Sequence, residues 1–325
     1  MTMSGTDRAP LELGGTHYAG RYELQSLIGT GGMSAVYRAR DTALGRDVAI
    51  KILTDGLADA AAAARRQGEV NLLASFAHPS LVTLYDYVTP EGQPSGLVMQ
   101  LVRGRDLHER LRAGTLDSST AASIGRQIAD ALAYLATAGV IHRDVKPGNI
   151  LVEDHADGRV RALLADFGIA RMADAARHTT VGTVIGTARY LSPEQAAGGT
   201  VGPPSDVYSL GLVLLEALTG APAYPGTQVE TVAARLTRDP HIPASIDGEW
   251  RALLRGMTRR EAALRLSAAE AAARLRAIES GAPSTLPLSA AEDEATAAIE
   301  LPVTATAPAV AASERPRRPA GWIAA

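Results

Sequence analysis

The chain contains no cysteine. Neither a disulfide scaffold nor a cysteine-ligated zinc site can hold it together, and a reducing cytosol is a permitted home. Aromatic residues make up only 4% of its 325 residues. Its core must therefore come mainly from Ala, Leu, Val and Ile, which suits thin, alanine-rich helices. Nowhere do roughly eighteen apolar residues run together, so no complete membrane-spanning helix lies within the sequence. The opening residues, with Ser4, Thr6, Asp7 and Arg8, lack the apolar stretch of a secretory signal. A basic excess is missing as well. The formal net charge of −3 argues against a dedicated nucleic-acid binder, and no nucleic-acid partner is expected. What is there is 46% apolar and 21% charged residues, in a chain long enough for two lobes.

Composition divides the chain. Residues 1–17 hold Gly, Ser, Thr and Pro without period and read as a disordered tail. Short β-like runs come next, at Tyr22–Ile28, Ala35–Arg40 and Asp47–Leu53, separated by Gly-rich or polar turns. Ala58–Phe76 reads as a helix ended by His78-Pro79, and Leu81–Val88 and Gly96–Val102 as two more strands. Beyond Gly104 the period becomes helical, with segments predicted at Ser119–Ala138, Asp206–Thr219, Glu249–Met257 and Ser267–Ile278. From Gly281 the sequence turns to Pro, Ala, Thr, Ser and Glu without an apolar period, a linker or tail.

Several short motifs carry chemistry. Gly29-Thr30-Gly31-Gly32-Met33-Ser34 lies between two strands, where glycines let backbone amides approach phosphate oxygens. A flexible hairpin would look the same. Lys51 ends the apolar run Val48-Ala49-Ile50 and could grip phosphates, with Glu69 on the following helix as a candidate partner. More specific is His142-Arg143-Asp144-Val145-Lys146-Pro147-Gly148-Asn149, followed by Asp166-Phe167-Gly168. Phosphoryl transfer asks for a carboxylate to orient the incoming hydroxyl, oxygens for a divalent cation, and cations near the moving group. Asp144, the pair Asn149 and Asp166, and Lys146 supply these in turn, and hard oxygens suit Mg²⁺.

In that order and spacing the motifs resemble the eukaryotic-type (Hanks-type) Ser/Thr protein kinases, in particular the kinase domains of membrane-anchored bacterial receptor kinases. The resemblance runs from Ile28 to about Ile278. It implies an α+β bilobal fold: a small β-rich N-lobe with one helix (18–103), a larger α-helical C-lobe (104–279), and tails at 1–17 and 280–325. It implies ATP as phosphoryl donor, Mg²⁺ as the metal with Mn²⁺ as an alternative, and proteins with Ser or Thr acceptors as substrates. Ile28 to Ser34 would cover the phosphates, Met99 would be the gatekeeper, and backbone groups of Gln100 and Val102 would meet the adenine edge. Val36, Ala49 and Leu151 would sandwich the ring. Lys51 and Glu69 would pair, since Glu69 stands nine residues before His78. Phe167 and Gly168 belong to the metal-binding turn. Gly186–Glu194 resembles the substrate-docking segment, in which Thr187 and Lys146 mark Ser/Thr specificity. Glu194 would pair with Arg265, and Asp206 would support the catalytic-loop backbone.

Arg143, directly before Asp144, implies control by activation-loop phosphorylation, with Thr179, Thr180 and Thr183 as candidate sites. The resemblance also allows a homodimer through the N-lobes. The segment from Arg315 to Ala325 joins a basic cluster to Trp322 and a few apolar residues, as at the cytoplasmic entry to a membrane. A cytoplasmic enzyme is expected, at the membrane face if the chain continues beyond residue 325. Two other readings compete. A pseudokinase scaffold would have lost residues such as Lys51, Asp144 or Asp166, and a small-molecule phosphotransferase would lack the docking segment.

Overall fold

Alternation along one strand sets the geometry of the first sheet. In Arg46–Leu53, Val48, Ile50 and Ile52 are buried in a cluster with Tyr18, Tyr22, Leu24, Tyr37, Ala39 and Val98. Successive side chains in a strand point to opposite faces, so Ala49 and Lys51 belong to the other side. The computed structural model describes residues 16–31, 34–53, 68, 70, 72–166 and 187–281, with the side chains of 187 and 188 left out. All lie in one compact unit, Met1–Leu286.

The sheet has six strands, β1 (His17–Tyr18), β2 (Tyr22–Gly31), β3 (Ser34–Asp41), β4 (Arg46–Leu53), β5 (Leu84–Val88) and β6 (Gly96–Gln100). They are antiparallel, in the order β1-β2-β3-β4-β6-β5. Pairing begins at His17, which opposes Glu23, one residue inside the segment that composition reads as tail. Tyr18 anchors this start, because its hydroxyl donates to the Pro94 carbonyl at 2.7 Å. Of the long helix expected before His78, helical backbone is described at 68, 70 and 72–74, where Val70 and Leu73 are buried with Phe76.

Two devices join this sheet to the rest of the chain. Leu81 bridges Leu164 in parallel, with the Val82 amide donating to the Leu164 carbonyl at 3.0 Å. Gly104 sits so close to the next strand pair that a Cβ there would lie 2.1 Å from the Val152 carbonyl oxygen. No side chain fits that gap.

A second sheet, β7 (Arg105–Asp106), β8 (Ile150–Asp154) and β9 (Val160–Leu164), leads into the helical lobe. The helices are α1 (Leu107–Arg112), α2 (Ser118–Thr137), α3 (Pro193–Ala196), α4 (Pro203–Thr219), α5 (Gln228–Thr237), α6 (Gly248–Met257) and α7 (Ala268–Ser280). Helix α2 starts on Asp117, whose side chain accepts the Thr120 amide, and packs against α4 and α7. Helix α4 begins three residues before the predicted Asp206, because Pro203 and Pro204 fit a first turn whose amides lack intrahelical partners. It stops at Gly220 with φ 70°. The result is the bilobal α+β architecture that the sequence implies.

Helices α1 and α5 and the β8–β9 hairpin were not among the sequence-predicted elements. Helix α5 has an inverted pattern: Thr231 and Arg235 are buried while Val229 is 79% exposed. An amphipathicity argument reads such a segment the wrong way round.

Candidate active site

The loop between α2 and β8 carries the densest set of predicted residues. Asp206, in the first turn of α4, is buried beneath it. Its carboxylate oxygens accept the His142 amide at 2.7 Å and the Arg143 amide at 2.8 Å. Burial pushes its pKa up to about 7, and the two amide donors oppose that rise. Arg143 is held at φ 66°, a left-handed conformation that a non-glycine residue keeps only where its surroundings enforce it. The His142 imidazole is buried, which lowers its pKa and keeps it neutral near pH 7. Its Nε2–H then donates to the Ala165 carbonyl at 3.0 Å.

Asp144 comes directly after. Its Oδ2 accepts from Lys146 Nζ at 2.8 Å and from Asn149 Nδ2 at 3.0 Å, while the same Nδ2 donates to the Asp144 backbone carbonyl at 2.8 Å. A carboxylate, an ammonium and an amide thus form one bonded group. The Ala165 amide donates to the Asn149 carbonyl at 2.8 Å, which brings the next residue, Asp166, to the same place.

Asp166, at φ 56°, pairs with Lys51 at 2.7 Å, with side chains 38% and 20% exposed. Sheet register supplies the rest of this wall. Gly29 opposes Val36, Val36 opposes Lys51, and Ala49 opposes Met99. Opposed residues share a face, so Val36, Ala49, Lys51 and Met99 line one side of the sheet. Met99, Val102 and Leu151 pack together against Val82, Leu163 and Ala165, an apolar floor that ends at Asp166. The Gln100 amide is committed to the Thr83 carbonyl at 2.9 Å and is not offered to a ligand edge. Ile28 is half exposed near the tip of β2, beside Gly29, Thr30 and Gly31, with Ser34 opposite Gly31.

This donor set fits a divalent cation held jointly with phosphates. Asn149 Nδ2 is committed to Asp144, which leaves Asn149 Oδ1 as a hard oxygen, and Asp166 supplies a carboxylate. Among the described residues no group of three or more His, Asp or Glu is placed to hold an ion by itself. One or two protein oxygens completed by substrate phosphates is the usual arrangement for Mg²⁺.

Behind the site, Glu194 and Arg265 form a bidentate pair, both contacts at 2.7 Å. Ser205 Oγ donates to the same carboxylate at 2.5 Å. Burial alone would raise the Glu194 pKa, but Arg265 and Ser205 outweigh it and pull it down to about 2. The residues just before Glu194 are held by a side chain that sequence reasoning passed over. Arg235 is fully buried and donates to the carbonyls of Leu191, Arg189 (3.0 Å) and Thr231 (3.2 Å). Its guanidinium lies 5.4 Å from the Tyr224 ring centroid, and burial lowers its pKa. A lone arginine in a weakly patterned helix gives no signal of this in sequence.

Gly32, Met33, Glu69, Phe167, Gly168, Thr179, Thr180 and Thr183 lie outside the described residues, as does the side chain of Thr187. The carboxylate that Lys51 meets among the described residues is Asp166.

Comparison with known proteins agrees with this geometry. The protein kinase domain profile matches residues 22–274. The chain is 42% identical over 239 residues to the serine/threonine-protein kinase PknA of Mycobacterium tuberculosis, a match covering 72% of this chain and 54% of that protein. It is 43% identical over 237 residues to the serine/threonine-protein kinase PknB of Mycobacterium leprae, covering 70% of this chain and 37% of that protein. The chain therefore spans about half, or less, of the length of the curated relatives it matches. It belongs to the protein kinase family, on its bacterial Hanks-type Ser/Thr branch. Membership implies use of ATP and a divalent metal.

Proposed function

We propose that this chain transfers the γ-phosphoryl group of ATP to serine or threonine hydroxyls of protein substrates, with Mg²⁺ as the metal and Mn²⁺ as an alternative. The observation that carries the reading is the bonded group Asp144–Lys146–Asn149 beside the Lys51–Asp166 pair. The acceptor oxygen bonds to the γ-phosphorus as the bond to the β–γ bridging oxygen breaks, and ADP leaves with that oxygen. Asp144 aligns the acceptor hydroxyl and takes up its proton. Lys146 offsets charge on the moving group, and Lys51 fixes the nucleotide phosphates. Asn149 and Asp166 would hold the cation, which supplies charge neutralisation when bound. Met99, Val102, Val36, Ala49 and Leu151 would form the adenine slot. Catalysis then rests on positioning and electrostatics. Lys51, Asp144 and Asp166 are all present, and nothing favours a pseudokinase.

The test is incubation with Mg²⁺ and γ-labelled ATP beside an Asp144→Asn variant. Label entering the wild type and a generic basic protein, but not the variant, is the expected result. ATP binding without transfer by the wild type would replace the reading with a pseudokinase. The same reading makes Thr179, Thr180 or Thr183 an autophosphorylation site that engages Arg143. Mass spectrometry of active enzyme without phosphate there would remove that part. It further allows a homodimer through the N-lobes, and expects the enzyme in the cytoplasm, at the membrane face if the chain continues past residue 325. Among the described residues no helix is long and apolar enough to cross a membrane.

A further inference from the structure

The left-handed backbone at Arg143 is gripped from two sides. Its amide is held by Asp206 Oδ1 at 2.8 Å, and its carbonyl accepts a hydrogen bond from Gln195 Nε2 at 2.9 Å. The Gln195 amide is itself oriented, because Oε1 accepts the Ser192 amide at 2.9 Å within the capping box of α3. Gln195 thus bridges the start of α3 to the peptide unit that directly precedes Asp144. Neither contact alone fixes that unit. Asp206 restrains the amide side of Arg143, and a residue at φ 66° can relax by rotating its carbonyl unless that oxygen is also bonded. Rotation there would swing the Asp144 backbone. The Asp144 carbonyl, on which Asn149 depends at 2.8 Å, would move with it.

We propose that Gln195 is a positioning residue for Asp144, acting by hydrogen-bond donation to the Arg143 carbonyl. It couples the substrate-docking segment to the catalytic loop: Ser192, near the end of that segment, caps the helix from which the Gln195 amide is aimed. The inference rests on the kinase reading for its effect on rate, but the clamp itself is a statement about backbone geometry.

The two ends of the Gln195 amide have different jobs, and a crossed pair of substitutions separates them. Gln195→Glu keeps an acceptor for the Ser192 amide and loses the donor. Gln195→Lys keeps a donor of similar reach and loses the acceptor. Donation to Arg143 as the working contact predicts that Gln195→Glu lowers kcat about tenfold or more, since small misplacements at reacting groups are expensive. KM for ATP should stay within twofold, and Gln195→Lys should recover most of the lost kcat. A purely capping role predicts the reverse order of the two variants and would overturn the proposal. So would kcat within twofold of wild type for both.

Hydrogen exchange provides an arm that does not need activity. In Gln195→Glu, amides of residues 142–149 should exchange about tenfold faster, with those of α4 and the first sheet unchanged. Unchanged exchange at 142–149 would sink the clamp whether or not the wild type transfers phosphate. Absent wild-type transfer with the exchange effect intact would fault the kinase reading instead.

Discussion

The interior of the large lobe and the mouth of the cleft are held by opposite means. Inside the large lobe, Asp206 and Arg265 are buried and Glu194 is only 14% exposed, and the three are tied to backbone amides and carbonyls or paired with each other. At the mouth of the cleft, Lys51 of the small lobe and Asp166 of the large lobe meet across the gap, 20% and 38% exposed. A half-exposed pair is worth little and can trade its partner for phosphate or cation cheaply. A buried pair cannot, because breaking it strands a charge out of water. The charges that must meet a ligand are exchangeable, and those that hold the platform are not.

The sharpest way to break this comparison is to remove one member from each side. Lys51→Met and Asp166→Asn should lower turnover by about 10²–10³-fold, the cost of removing one electrostatic stabiliser. Both should leave the urea midpoint near wild type, as a partly exposed pair contributes little to folding. Either variant retaining wild-type turnover would refute the role given to that residue. Arg265→Met should do the opposite first, destabilising the fold by about 3–5 kcal/mol as the largely buried Glu194 loses its partner. Urea denaturation reads that directly, and a loss under about 1 kcal/mol would place the pair among ordinary surface contacts.

A pH series sharpens the same point. Glu194 has a folded pKa of about 2, below its ordinary 4.5. Its contribution is therefore full above pH 4.5 and lost as pH falls from there through 2. Asp206 has the opposite sign. Burial raises it to about 7, so the stability tied to its protonated form is present below its ordinary 3.8 and fades as pH rises through 7. The acid loss should flatten in Glu194→Gln, measured as the urea midpoint against pH. A wild-type curve without a drop in that window would contradict the buried pairing. The smallest effect belongs to Arg110 and Asp154, paired at 2.6 Å with Asp154 69% exposed. Arg110→Ala should cost under about 1 kcal/mol, and less in high salt.

Much of the fold was legible because its signals are local. Strand alternation at Asp47–Leu53 and the helical period of Ser119–Ala138 survive as β4 and α2 within a few residues. Helix α5 was not legible, since its buried face carries Thr231 and Arg235 in place of apolar residues. The β8–β9 hairpin was hidden too: each strand is five residues long, and each flanks a motif that drew the reading toward chemistry. Within the site, residue types and order pointed to Asp144, Lys146, Asn149 and Asp166. Nothing in them told that Asn149 spends its amide on Asp144, or that Gln195 reaches Arg143.

By itself the sequence determined the family, the two-lobed α+β division and the chemical groups of the site, because backbone propensity, apolar period and motif spacing are short-range properties. Only the tertiary structure decided that Lys51 meets Asp166, 115 positions away. It also decided that the Glu194–Arg265 pair, already expected from the resemblance, closes as a bidentate contact largely screened from water. Whether such groups sit buried and locked or exposed and exchangeable depends on how the whole chain excludes water around them, which no local window of sequence records.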